Sequence, residues 1–204
     1  MPYDKIVQLL VVDDSLLYAM LIRDVDLDDE QLQRVVRAMA EIAEYPIFID
    51  DSPTLTVLEL RGKARRMHLE HNIGLIVVDY LQLMTASGQR ENRVQEITEI
   101  TRSLKALARE LKLPIVACAQ LSRAVEQRPD SKPRLSDLRE SGSIEQDADL
   151  VMFLHEPDRD DEMIGRPVNL KLDIAKHRNG PTGTVDLRFI RPQGRFEEAA
   201  GRAM

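Results

Sequence analysis

The chain has 204 residues, of which 43% are hydrophobic and 31% are charged, and its formal net charge is −7. These values predict one soluble α/β-sized domain, or one such domain with a small lobe, that can bury a sizeable core. No apolar run approaches the roughly 20 residues of a membrane span, and no signal pattern follows Met1, so no membrane partner is expected. The single cysteine, Cys118, cannot form an internal disulfide. We therefore expect a reduced, cytoplasmic setting in which Cys118 is a small buried hydrophobic residue, not a nucleophile.

Charge is distributed unevenly along the chain. Residues 1–60 carry 4 basic and 13 acidic side chains, whereas the remaining 144 carry 24 basic and 22 acidic ones. Residues 171–195 hold six basic and two acidic side chains. The overall negative charge argues against non-specific DNA binding by the whole surface, and an anion-binding surface is expected near the C-terminus.

Apolar periodicity and turn residues predict helices that alternate with strands. Helices are predicted over residues 4–22, 28–44, 56–71 and 94–111. Strands are predicted over residues 46–50, 75–79, 115–120, 150–155, 168–176 and 184–190. Residues 122–147 are predicted to be loop with short helical turns, and "HRNGPTG" at 177–183 is predicted to be the turn of a hairpin.

Two of the predicted helices have an apolar face. The helix over 28–44, capped by Asp28 or Asp29, places on one face Leu32, Val35, Val36, Met39 and Ile42. The helix over 94–111 has a core-facing stripe of Val94, Ile97, Ile100, Leu104, Leu107, Ala108 and Leu111.

The order of elements predicts an α/β fold. A mostly parallel sheet is flanked by helices, and the C-terminal antiparallel hairpin is expected to extend one edge of that sheet. Residues 122–135 are the best candidate for a linker, but the sequence does not require a domain boundary there, so the chain is interpreted as a single domain over 1–204.

The run "IGLIVVDYLQLM" at 73–84 contains a buried strand that ends on Asp79. This pattern is typical of a Walker B strand, in which a carboxylate at the carboxyl edge of a parallel sheet holds the Mg²⁺ of a bound nucleotide. Many buried strands end in an aspartate that only caps the following turn, and that alternative remains open on the pattern alone.

A nucleotide-hydrolysing site also needs a glycine-rich phosphate loop, G-x-x-x-x-G-K-[ST]. The only Gly-Lys pair is Gly62-Lys63, which Ala64 follows, and Val57 stands where the first glycine belongs. Residues 1–61 contain no glycine. The printed sequence therefore lacks the motif.

From about Tyr45 to Ala199 the chain closely resembles the C-terminal RecA-like motor domain of bacterial replicative DNA helicases of the DnaB type. The stretches that carry the resemblance, in the family's order and spacing, are "PIFIDDSPTLTVLELRGKARRM", "IVVDYLQLM", "ENRVQEITEITRSLKALARELKLPIVACAQLSRAVEQR", "LSDLRESGSIEQDADLVMFLH" and "AKHRNGPTGTVDLRF". Residues 1–44 resemble a diverged, more acidic form of the segment that follows the family's catalytic-glutamate strand.

The resemblance implies a subunit of a hexameric ring that encircles single-stranded DNA and unwinds duplex DNA 5′ to 3′, with ATP and Mg²⁺ bound between subunits. It implies that Asp79 is the Mg²⁺ ligand. Gln120, in "AQLSR", resembles the polar sensor that detects the γ-phosphate.

The resemblance also implies roles near the C-terminus. Arg139, Glu140 and Gly142 in "LRESGS" match the loop that contacts the DNA backbone. Lys176 and Arg178 in "AKHRNG" match the pair inserted into the neighbouring subunit's ATP site, with Arg178 as the arginine finger. Without the resemblance, a solvated hairpin tip for Lys176 and Arg178 and a surface ion pair for Arg139 would be the simpler interpretations.

Some features depart from the family. The family's phosphate loop, catalytic glutamate and N-terminal primase-interacting domain precede the matching region, and we expect this chain to lack them. His177 stands where the family usually has glutamine, and "HEPDRDDE" replaces a more basic and aromatic loop. We therefore expect a C-terminal helicase portion that is inactive alone. The alternatives are a non-catalytic paralogue that joins or regulates a helicase ring, and a remnant without function.

Overall fold

A computed structural model describes most of the chain. The described residues are 9–13, 28–52, 54–86, 92–125, 127–128, 132–138, 142–157 and 167–199. The chain divides into two compact units, Met1–Gln120 and Leu121–Met204, and each is described by itself below.

The first unit is built on a four-stranded parallel sheet. Its strands are β1 (Leu9–Asp13), β2 (Ile47–Asp50), β4 (Leu75–Asp79) and β6 (Ile115–Ala117), in the order β2-β1-β4-β6. A separate parallel pair consists of β3 (Leu55–Thr56) and β5 (Met84–Thr85). Parallel strands need long crossover connections, which here contain the helices.

Three helices of the first unit begin at polar caps. They are α1 (Asp29–Ala43), α2 (Val57–His71) and α3 (Arg93–Leu111). Asp28 and Thr56 each form a capping box with the residue three positions on, and Asn92 caps α3 by accepting from the Val94 amide. The caps satisfy amide groups that would otherwise lack partners, so these residues fix where the helices start.

The core of the first unit lies between α2, α3 and one face of the parallel sheet. Its fully buried side chains include Leu60, Ile73, Ile76, Val78, Leu81, Ile97, Ile100 and Leu107. Burial of a side chain of this size stabilises the fold by about 1.5–3 kcal/mol. The predicted stripe of α3 is confirmed at Ile97, Ile100, Leu104 and Leu107, whereas Val94 at its start is 43% exposed.

The second unit contains a four-stranded antiparallel sheet. Its strands are β7 (Leu150–His155), β8 (Val168–His177), β9 (Gly183–Ile190) and β10 (Arg195–Glu198), in the order β10-β9-β8-β7. The short helix α4 (Gly142–Asp147) precedes β7. The predicted hairpin over 168–190 is confirmed. These strands pair with one another in a sheet of their own, not along an edge of the parallel sheet as the sequence predicted, and β10 was not predicted.

The structure corrects three further expectations. The helix predicted over 4–22 is wrong at Leu9–Asp13, which is a strand, because pairing with β2 and β4 on both sides overrides the weak local signal. The other residues of that predicted helix lie outside the described ones. Helix α1 forms as predicted but has no buried residue, and its Met39 is 62% exposed. Cys118 is exposed, not buried.

Within the described residues, no helix is both long enough and apolar enough to cross a membrane.

Candidate functional site

Asp79 lies at the carboxyl edge of the parallel sheet. The ladder between β4 and β6 pairs Val78 with Ala117 and continues past the end of β6, because the Cys118 amide donates to the Val78 carbonyl at 2.9 Å. The Leu81 amide donates a hydrogen bond to the Cys118 carbonyl at 2.9 Å. The ends of these two strands are therefore tied together, and Asp79 is exposed beside the segment that leads to Gln120.

Gln120 is exposed three residues beyond the end of β6. Its backbone N–H donates a hydrogen bond to the side-chain oxygen of Gln82 at 3.3 Å. Gln82 lies in the single turn of 3-10 helix over Leu81–Leu83 that follows Asp79. The Gln82 side chain thus connects the end of β4 to the end of β6, and it fixes the backbone that presents the Gln120 side chain. Sequence reasoning missed Gln82, although it stands three residues after Asp79 in "DYLQLM".

The carboxylate of Asp79 also acts on its neighbour Cys118. Partial desolvation of the thiol, the negative charge of Asp79 and a hydrogen bond between the two side chains all raise the pKa of Cys118. A raised pKa keeps the thiol protonated at neutral pH, and the protonated thiol is a poor nucleophile. Cys118 is thus exposed, contrary to expectation, but its environment argues against nucleophilic catalysis, in agreement with the sequence interpretation.

A second acidic residue ends a neighbouring strand. β1 pairs with β4 in parallel, and the register places Asp13 opposite Asp79 at the carboxyl edge. Sequence reasoning missed this position because it assigned residues 4–22 to a helix. The signal was present, since "LLVVD" at 9–13 repeats "LIVVD" at 75–79 in four of its five residues.

Among the described residues, Asp79 is the one that the sequence analysis assigned as a Mg²⁺ ligand. No three His, Cys, Asp or Glu side chains converge as metal ligands in that part of the chain. Proteins usually bind Mg²⁺ through one or two carboxylates, with the remaining ligands supplied by substrate phosphates and water. An exposed carboxylate at Asp79 fits that pattern.

Of the three predicted DNA-contacting residues, the structure describes one. Arg139 and Glu140 lie outside the described residues, and Gly142 is the first residue of α4. Gly142 is exposed, and a Cβ atom added there would meet nothing within 4 Å. Folding therefore does not require glycine at this position.

Lys176 is positioned by a bulge in β8. Val151 of β7 pairs with Lys176, but Met152 pairs with Ile174, so Ala175 is the extra residue. Paired residues of neighbouring strands share a face, and the bulge therefore puts Lys176 on the same face as buried Val151. A strict alternation along "LDIAK" would have put it on the opposite face. The redirected ammonium group donates to the Glu145 carbonyl in α4.

Arg178 directly follows β8. Its amide donates to the Asp149 carbonyl at 2.8 Å, and its guanidinium donates to the Gln146 carbonyl at 3.0 Å. The guanidinium also lies 3.2 Å from the Asp149 carboxylate, with the two side chains 42% and 53% exposed. The structure thus brings Lys176 and Arg178 together at the carboxyl end of α4. Asp79 and Gln120 belong to the other unit.

A buried carboxylate lies three residues before Lys176. Asp173 accepts hydrogen bonds from the Thr184 hydroxyl and, at 3.0 Å, from the His155 ring, and the Lys132 ammonium lies 3.2 Å away. Burial alone would raise the pKa of Asp173, but these hydrogen bonds and the charge of Lys132 outweigh it and lower the pKa to about 2. The sequence analysis did not single out Asp173, because it falls within an alternating strand pattern.

The parallel sheet, its flanking helices and an acid at the end of a central strand place the chain in the RecA-like fold class. The sequence model for the family described as "DnaB-like helicase C terminal domain" matches residues 1–198. The chain belongs to this family.

Curated relatives are replicative helicases. The chain is 53% identical over 172 residues to a replicative DNA helicase DnaB from Mycobacterium leprae, covering 84% of this chain and 28% of the relative. It is 50% identical over 171 residues to a replicative DNA helicase DnaB from Geobacillus stearothermophilus, covering 83% and 38%. A replicative DNA helicase DnaC from Bacillus subtilis is 43% identical over 194 residues, covering 95% and 43%. The chain therefore spans less than half the length of each of these relatives.

Solved structures of helicase and ATPase domains have the same fold as this chain. A solved ATPase domain superimposes with a TM-score of 0.84 at 34% identity, covering 95% of this chain and 75% of that chain. A DnaB-like replicative helicase, studied together with its interactions with primase, superimposes with a TM-score of 0.81 at 35% identity, covering 93% and 50%.

Proposed function

We propose that this chain is the C-terminal ATPase and DNA-translocation portion of a replicative DNA helicase. It works in the cytoplasm as a subunit of a hexameric ring that encircles single-stranded DNA and uses ATP with Mg²⁺ to unwind duplex DNA 5′ to 3′. Family membership supports this assignment. The observation that carries it is the tie between β4 and β6, which gathers Asp79 and Gln120 at one edge of the sheet.

Asp79 and Gln120 act on the nucleotide bound by their own subunit. The Asp79 carboxylate would hold Mg²⁺, which neutralises charge on the phosphates. Gln120 offers an exposed amide that can donate to a terminal phosphate oxygen and respond to its loss. Its backbone is already fixed by Gln82, so a change at the side chain is transmitted to the sheet edge.

Lys176 and Arg178 act on the nucleotide of the neighbouring subunit. Lys176 is the last residue but one of β8 and is half-buried, and the exposed Arg178 follows the strand directly. Arg178 serves as the arginine finger. Arginine neutralises charge that builds up on the transferred phosphoryl group, and such fingers are worth roughly 10³–10⁵ in rate. Gly142, with Arg139 and Glu140, contacts the DNA backbone, where a glycine permits close approach and the contact carries no base sequence information.

The phosphate loop comes from polypeptide outside these 204 residues. The printed sequence has no G-x-x-x-x-G-K-[ST] motif, and Asp79 alone supplies too few ligands to hold a nucleotide. ATP hydrolysis therefore requires a segment that carries this motif, joined to this chain or added as a separate polypeptide.

The test is complementation. The chain is mixed with a helicase polypeptide that carries the phosphate loop and catalytic glutamate, and ATP hydrolysis is measured with single-stranded DNA. We expect no hydrolysis by either polypeptide alone and hydrolysis by the mixture. Arg178→Ala should abolish it, whereas Arg188→Ala, an exposed arginine on β9 of the same hairpin, should not. A mixture that never hydrolyses ATP would contradict the proposal.

The acidic character of residues 1–60 favours a second candidate. With 4 basic and 13 acidic side chains, this part of the chain is suited to a regulatory subunit that joins a competent helicase ring and offers Arg178 to a neighbour. Pull-down with a full-length helicase of the family tests this candidate, and a failure to associate at low salt would eliminate it.

A further inference from the structure

Helix α4 connects two segments to which the proposed function gives different tasks. It begins at Gly142, so it directly continues the segment proposed to contact DNA. Its carboxyl end contacts Lys176 and Arg178, the side chains proposed to act on the neighbouring subunit's nucleotide. The helix has six residues, so its two ends are only about 9 Å apart.

The carboxyl end of α4 is a favourable place for two cations. The last carbonyls of a helix have no partners within the helix and form the negative end of its dipole. Here the Lys176 ammonium donates to the Glu145 carbonyl and the Arg178 guanidinium donates to the Gln146 carbonyl. Both contacts place a positive charge beside the partial negative charge of these carbonyls. They also keep the Lys176 and Arg178 side chains in contact with their own subunit.

Asp149 adds a charged contact to the same guanidinium. Its carboxylate lies 3.2 Å from Arg178, and both side chains are about half exposed to solvent. An ion pair with that exposure is weak. It can therefore bias where the Arg178 side chain rests and still be broken when a stronger anion becomes available.

We propose that Asp149 is a positioning residue that, together with the carboxyl end of α4, holds Arg178 back from the neighbouring subunit's nucleotide until DNA binds next to Gly142. The inference rests on the proposed function and adds regulation to it. The guanidinium nitrogens that contact Gln146 and Asp149 are the planar donors that a terminal phosphate would need, so Arg178 cannot make both sets of contacts fully at once. DNA at the start of α4 moves its end and releases the arginine.

The first test compares ATP hydrolysis with and without single-stranded DNA in the mixture of this chain and the phosphate-loop polypeptide. Asp149→Asn removes the charge and keeps the side-chain size. We expect the DNA-free rate to rise roughly two- to fivefold, the range that a weak exposed ion pair allows, while the DNA-saturated rate stays unchanged. The matched control, Asp186→Asn, removes an acid on β9 that is 70% exposed and should leave both rates unchanged.

Two results of this test would overturn the inference. If both rates fall together, Asp149 orients the arginine for catalysis and does not restrain it. If neither rate changes, the ion pair has no role. If the unsubstituted mixture does not hydrolyse ATP at all, the proposed function is wrong. The second test then shows separately whether Asp149 restrains Arg178.

The second test uses the chain alone and needs no nucleotide. The Arg178 side-chain Nε–H signal is assigned by its loss in Arg178→Ala, and its mobility is measured by nuclear magnetic resonance relaxation. Asp149→Asn should make the Arg178 side chain more mobile and leave the signals of the other arginines unchanged. A general loss of structure would alter those other signals as well, so they serve as the control. Unchanged mobility of Arg178 would contradict a restraint by Asp149.

Discussion

The buried carboxylate of Asp173 gives the sharpest stability prediction. The pKa of Asp173 is lowered from its ordinary value of 3.8 to about 2, and its side chain is only 8% exposed. A shift of that size, at about 1.4 kcal/mol per pKa unit, corresponds to about 2–3 kcal/mol of stability for the ionised form. Because the folded-state pKa is the lower one, this stability is fully present well above pH 3.8 and is lost as the pH falls toward 2.

Asp173→Asn should therefore lower the free energy of unfolding at pH 7 by about 2 kcal/mol. The amide cannot be charged, so the difference between the two proteins should shrink by about half at about pH 3 and be mostly lost by about pH 2. Because the chain has no tryptophan, urea unfolding is best followed by circular dichroism. The exposed control Asp186→Asn should unfold like the unsubstituted chain at every pH. Equal stability of Asp173→Asn at neutral pH, or a loss that does not shrink in acid, would refute the reasoning.

Three further predictions concern the site and the core. Gly142→Ala should fold normally, because its Cβ would meet nothing within 4 Å, but should weaken single-stranded DNA binding by the complemented mixture in filter-binding assays; unchanged affinity would contradict a close contact there. Asp79→Asn should lower the pKa of the Cys118 thiol, because it removes a charge that raises it, and should speed alkylation by iodoacetamide at mildly alkaline pH; an unchanged rate would mean that the two side chains do not interact. Leu60→Ala, at a side chain with no exposed area, should cost about 2–5 kcal/mol in urea unfolding, whereas Leu69→Ala on the same helix, 85% exposed, should change stability little.

The sequence predicted the elements whose signals are local and strong. The capping boxes at Asp28 and Thr56 set the starts of α1 and α2, and the stripe through Ile97 and Ile100 identified the buried face of α3. Alternation of apolar and polar residues predicted the hairpin of β8 and β9. In each case the residues that determine the element lie within a few positions of one another, so no tertiary information was needed.

The sequence failed where distant partners decide the structure. "LLVVD" at 9–13 became a strand because β2 and β4 pair with it on both sides, and propensity alone cannot reveal such neighbours. The bulge at Ala175, which turns Lys176 toward α4, interrupts a pattern that alternates regularly in sequence. The ion pair between Arg178 and Asp149 joins residues far apart in the chain. Asp79 was found as a candidate from sequence because a strand that ends in an acid is a local pattern.

The central claim is that this chain supplies a Mg²⁺-holding carboxylate and trans-acting side chains but takes its phosphate loop from elsewhere. Titration of a fluorescent ATP analogue in the presence of Mg²⁺ tests it most directly. The account predicts no saturable binding by the 204-residue chain alone, and saturable binding once the phosphate-loop polypeptide is added, weakened by Asp79→Asn. Saturable Mg²⁺-dependent binding by the chain alone would contradict it.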